Sequence, residues 1–146
     1  MMRQVLVLLV LVVAGCGGTG TPVTFDPAHE PCRFCRIVGS NGRFAAELVA
    51  PGQDALYFDD IGCLLQYLRA STERAKSADA FVADHRTGAW VSARQAVYVR
   101  RDAIETPMGS HLMAFASAES RNQDPAAGDG ETLTFERVFE GTGIVS

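Results

Sequence analysis

Lysine is nearly missing from this sequence: Lys76 stands alone among 146 residues. Positive charge rests on arginine and does not predominate, with 13 basic against 17 acidic side chains and a net charge of −4. With no basic cluster to neutralise phosphates, the chain is not built to bind nucleic acid, and it has no patch for an anionic lipid surface. Cysteine is scarce as well. Four are too few for a disulfide-stapled scaffold. The pair Cys32 and Cys35 has no second pair to complete a structural zinc site. Apolar runs are short: residues 5–14 form an unbroken stretch, where a bilayer-spanning helix needs about 20 residues. No Ser-His-Asp arrangement, phosphate-cradling glycine loop or paired-carboxylate pattern stands out. The remainder, 47% hydrophobic and 21% charged, is ordinary globular composition. Its length suits one compact domain, or two small units sharing a core.

The N-terminus reads as an address. Met1-Met2-Arg3 is followed by the apolar stretch and then by Val13-Ala14-Gly15-Cys16. This fits a secretory signal and resembles the bacterial lipobox. Residues 1–15 are then a lipoprotein signal peptide, and Cys16 is the lipidated residue. The protein is expected on the periplasmic side of a bacterial membrane, held by a lipid anchor. Residues 16–31 are rich in Gly and Pro and read as a flexible tether, with a reach of about 50 Å at about 3.3 Å per residue. Cys32, Cys35 and Cys63 remain in the body. An odd number of thiols in an oxidising compartment argues against a purely structural disulfide set.

Period and turn signals outline the body. Residues 43–50, 55–58, 80–83, 96–99, 112–116 and 132–135 read as strands. Asp59-Asp60 caps an amphipathic helix over residues 61–74, with Ile61, Leu64, Leu65 and Leu68 on one face. Residues 120–130 read as a loop, and residues 136–140 start a short helix. Residues 56–61 resemble 133–138, and residues 44–50 resemble 112–118. This weak repeat implies an α+β fold of two related ββα(β) units, 32–103 and 104–146. Neither unit has enough helix to cover its own sheet, so a shared core is expected.

Two segments carry chemistry. Cys32-Arg33-Phe34-Cys35 can bind a metal or form a disulfide. A periplasmic thiol–disulfide protein is therefore one reading, although Pro31 and the element order differ from thioredoxin-like proteins. Thr106-Pro107-Met108-Gly109 places a methionine in a loop. Thiolate and thioether together are soft ligands that favour Cu(I) over hard cations. A metal-free interaction module on the same scaffold is the third reading. Cys63 reads as a core thiol without a metal role. Asp59 and Asp60 read as helix-capping residues.

The Cys pair, Phe58-Asp59-Asp60-Ile61-Gly62-Cys63, Val82-Ala83-Asp84 with Thr87-Gly88-Ala89-Trp90, and Thr106-Pro107-Met108-Gly109 with Ala114-Phe115 together resemble the NosL family. These are copper-binding lipoproteins that assist assembly of nitrous-oxide reductase. The resemblance runs from Cys32 to about Val138. It implies a fold of paired ββαβ-type units, related to that of organomercurial lyase. It also implies a non-enzymatic, membrane-anchored Cu(I) chaperone. Its partners would be a membrane-bound copper-maturation complex and nitrous-oxide reductase. The family's ligands carry over onto Cys35 and Met108, with Cys32 assisting. Arg36-Ile37 stands where Gly-Met is usual, so one thioether is lost. Either Cys32 or a histidine replaces it, His111 (where a small residue is usual) being the candidate, or copper affinity is reduced.

Overall fold

The computed structural model describes residues 20–144. The lipobox, Cys16 and the signal segment lie outside the described residues. Two antiparallel sheets and four helical segments are found among them. In the first sheet, β1 (Ala46–Val49) turns through Pro51-Gly52 into β2 (Leu56–Phe58). Gly52 sits at φ 67°, where glycine carries no Cβ penalty. Asp60 then caps α1 (Ile61–Ala70), its side chain accepting from the Gly62 N–H at 2.7 Å. The inner face of α1 buries Ile61, Cys63, Leu64, Leu65 and Leu68. The helix breaks at Ser71 (φ −137°, ψ 54°), and a short α2 (Thr72–Ala75) follows. The Ser71 N–H turns back to the Leu68 carbonyl at 3.2 Å instead of one residue further back, so the continuous helix expected to residue 74 is divided. β3 (Asp79–Ala83) and β4 (Trp90–Ser92) complete the order β2-β1-β3-β4.

The second sheet has β5 (Val97–Arg100) at its centre, between β6 (Leu112–Phe115) and β7 (Glu131–Leu133). A short α3 (Ala118–Asn122) precedes β7, and α4 (Phe135–Val138) follows it. The expected two-unit α+β fold is therefore present, with its segments matched differently. Each half is a ββαβ unit built on its first strand: β1-β2-α1-β3 and β5-β6-α3-β7. The repeat read from sequence instead aligned β1 with β6 and β2 with β7. As a result β5, assigned to the first unit, opens the second. The element hiding this match is α3. Its five residues are too few to show a helical period inside the polar 120–130 stretch.

One core serves both sheets. Phe58, Leu64 and Leu68 from the first half pack in one cluster with Tyr98, Leu112, Phe135 and Phe139 from the second. Asp84 joins the halves. Its backbone bridges Ala114, and its buried carboxylate accepts from the Ala116 N–H and the Ser120 hydroxyl, both at 2.7 Å. The other oxygen accepts from the Arg86 and Thr87 N–H groups of its own turn.

The segment expected as free tether is laid along the outer face of the first sheet from Gly20 onward. The Gly20 N–H donates to Asp79 at 2.7 Å, and the Val23 N–H donates to Glu47 at 2.8 Å. The Phe25 ring meets Tyr57 at 5.3 Å between centroids. These contacts use backbone N–H groups, which composition does not reveal.

Glu47 is fully buried beneath this strap. Its Oε2 has no hydrogen-bond partner, and burial pushes its carboxyl up to about 7. An acid whose folded-state pKa is raised stabilises the fold most at low pH. That contribution fades as pH rises from the unfolded value through 7. The difference is worth about 3 kcal/mol. Urea unfolding at pH 5 and pH 8 is expected to show wild type losing stability relative to Glu47→Gln as pH rises, the other titrating groups being common to both proteins. Parallel pH profiles for the two proteins would refute this account of Glu47.

Candidate metal centre

Cys32 and Cys35 lie in a tight loop before the first sheet. The Cys32 N–H donates to the Ile37 carbonyl at 2.9 Å, and the Arg36 N–H returns to the Cys32 carbonyl at 3.1 Å. The Arg33 N–H donates to the Tyr57 carbonyl at 2.8 Å, which docks the loop against β2. Asp59 follows β2 directly, and Cys63 lies four residues on, in the first turn of α1. Asp59, just ahead of the cap, and Cys63 are four residues apart and lie on one side of the helix start. The loop therefore meets Asp59 and Cys63 together. One ligand atom from each of Cys32, Cys35, Asp59 and Cys63 falls within 4.8 Å of all the others.

The four differ in access and charge. Cys32 is 0% exposed, and Cys63 and Asp59 are each 1% exposed, while Cys35 is half-buried. Cys35 donates its S–H to the Asp59 carboxylate at 3.5 Å. The Cys63 S–H held against the Cys32 sulfur, with the Asp59 and Cys35 N–H groups, brings Cys32 down to about 4. The same shared proton drives the Cys63 pKa far up. Burial pushes Cys35 up to about 11, and the Cys32 charge adds to the effect. Burial, with the Cys32 charge beside it, moves Asp59 up to about 6. The cluster is thus one buried thiolate flanked by two thiols, of which one is accessible. Such a donor set suits soft metal ions.

Two expectations change here. Cys63 is a core thiol as expected, yet its sulfur belongs to the cluster. Asp59 does not cap α1; it accepts from Cys35. Only Asp60 caps. The odd thiol count and the Asp59 to Cys63 spacing were the available signals. A cysteine between two core residues, Ile61 and Leu64, masked them.

Asp60 has a second role. It is 0% exposed, and its Oδ2 accepts from the Met108 N–H at 2.8 Å while Oδ1 caps α1. The loop that carries Met108 is thereby fixed to the helix start beside the cluster. A Cβ at Gly62 would meet the Ser110 Cβ at 2.8 Å, so this close approach requires glycine. Met108 is 45% exposed, and it borders the same cleft as Cys63 and Phe34. His111 stands outside the cluster. Its Nδ1 donates to the Ile104 carbonyl at 2.7 Å, which leaves Nε2 as its free ring atom. Arg36 (φ 68°) and His111 (φ 58°) are the two non-glycine residues with positive φ among the described residues. Both border the site, and both occupy the left-handed region that favours glycine.

Fold and site define a small α+β protein with a sulfur-rich centre suited to a soft ion. A family model described as NosL matches residues 22–141, and the chain belongs to that family. The crystal structure of the copper chaperone NosL from Shewanella denitrificans shares the fold, with a TM-score of 0.63 at 16% identity. The match covers 82% of this chain and 96% of that one. Comparison with curated proteins gives no match.

Proposed function

We propose that this protein is a Cu(I) chaperone, with the ion as its cargo and no catalytic step. The observation that carries the reading is the convergence of three sulfurs, one of them only half-buried, and a carboxylate within 4.8 Å. Cys35 meets the incoming ion, and Cys32 provides the anionic ligand. Cys63 and Asp59 complete the surroundings, and the Met108 thioether guards the adjoining cleft. The Nε2 of His111 is a further donor. A two- or three-coordinate soft ion held this way leaves by ligand exchange onto a partner's donors. Lipidation at Cys16, with residues 1–15 removed, would anchor the protein on the periplasmic side. The recipient would be a membrane-bound copper-maturation complex, with nitrous-oxide reductase at the end of the route.

Cu(I) titration against a competing chelator, under reductant, tests this. Equimolar, sub-micromolar binding is expected, lost in Cys35→Ser and weakened in Met108→Ala. His111→Ala decides whether its Nε2 takes part. Protein oxidised to a Cys32–Cys35 disulfide is expected not to load. Absence of saturable binding by the reduced protein would rule the reading out. A thiol–disulfide role has the low Cys32 pKa in its favour. Against it, a fully buried sulfur is badly placed to attack a disulfide in another protein.

A further inference from the structure

Beside the metal cluster lies a cleft of about 550 Å3, into which Cys63, Met108 and Phe34 all reach. Arg69 from α1, Arg100 from β5 and Arg137 from α4 line the same cleft. Among the described residues no Asp or Glu lines it. That is contrary to composition, since acids outnumber bases in this chain. Three separate elements, drawn from both halves of the fold, bring their cations to one opening. Arg137 has one long, exposed contact with Glu140, at 3.4 Å. Arg69 and Arg100 take part in no ion pair among the described residues. Phe34 (42% exposed) and Met108 supply apolar surface at the rim. Uncovered arginines around an exposed aromatic and a thioether are the composition expected of a protein-docking surface.

We infer that this cleft is the docking site for an acidic segment of a partner protein, one that carries its own sulfur donors. Its carboxylates pair with Arg69, Arg100 and Arg137, while its sulfur comes to rest beside Met108 and Cys63. A cleft of this size admits a few side chains of an inserted loop. The inference rests on the copper reading only for what passes through the cleft. Charge recognition by the three arginines is testable in apo protein, so the two can fail separately.

The probes are a short blocked peptide alternating Glu and Met, and its counterpart with Gln in place of Glu. Binding to the reduced full chain is followed by fluorescence anisotropy. The Glu peptide is expected to bind more tightly, with the difference shrinking as salt rises. In the triple variant Arg69→Gln, Arg100→Gln, Arg137→Gln its affinity should fall about ten-fold, the effect of three exposed ion pairs of ordinary strength. Chelator competition should show unchanged Cu(I) affinity in that variant, and circular dichroism an unchanged fold. Equal binding of the two peptides, or full binding by the variant, overturns the inference. So does inorganic phosphate displacing the Glu peptide as well as free Glu peptide does, which would mark a general anion site. Anionic phospholipid vesicles that retain wild type but not the variant would also overturn it, in favour of a membrane surface.

Discussion

Replacing Cys32 by serine is expected to lower Cu(I) affinity by more than about 100-fold, with the fold retained. Loss of an outer-shell partner already costs about 10- to 100-fold, and Cys32 is placed to be a direct ligand. It lies at the middle of the cluster, with the Cys63 S–H and the Asp59 and Cys35 N–H groups all directed at its sulfur. Those donors hold the negative charge where a cation will neutralise it. A serine hydroxyl has almost the same shape but neither ionises near neutral pH nor offers a soft donor. Cys63→Ser is expected to have a graded effect, because it removes both a neighbouring sulfur and the proton that keeps Cys32 ionised. Chelator competition on the two variants in parallel measures the ordering. If Cys32→Ser binds Cu(I) as tightly as wild type, the cluster is not where the ion sits.

Asp84→Ala is expected to destabilise the fold by about 3 kcal/mol or more, with little effect on the metal cluster. The mutation strands the Ala116 N–H and the Ser120 hydroxyl at the junction of the two sheets, and it frees the turn held by the Arg86 and Thr87 N–H groups. Buried donors left without acceptors carry costs of this size. Burial works to raise the Asp84 pKa, but the Ala116, Ser120 and Thr87 donors outweigh it and hold the carboxyl below its ordinary value. The sign follows. Its stabilisation is complete above the unfolded value near 4 and is lost as pH falls through the lowered native value. Glu47 acts in the opposite sense, at the neutral end of the range. Urea unfolding of Asp84→Ala at pH 7, with a change under about 0.5 kcal/mol, would place the junction elsewhere.

Two of the four cluster residues, Cys32 and Cys35, were legible before the fold was known. Cys32, Cys35 and Met108 stand out because their residue types are rare and sit in loops, where packing does not explain them. The α1 helix and the central strands follow from period alone. Three features were hidden, each for a physical reason. Cys63 lies in a helical stripe of apolar residues, and a buried thiol reads like any small hydrophobe until its neighbours are known. Asp59 and Asp60 are equivalent by sequence. The backbone turn out of β2 decides that one caps α1 and anchors Met108, while the other faces Cys35. The matching of the two halves turned on α3, whose helical character is set by the Ser117 cap and contact with β6 rather than by periodicity.

By itself the sequence determined that the protein has two small sheet-and-helix units with a common core and soft-ligand chemistry, because hydrophobic period and residue type are local properties. The tertiary structure alone decided which sulfurs meet, which one carries the charge, and that arginines 31 to 68 residues apart gather beside them. The sulfurs meet because the Cys32 loop docks on β2 ahead of α1, and the arginines gather because β6, with β5 and α4 beside it, packs against α1; such long-range packing leaves no short-range trace in the chain.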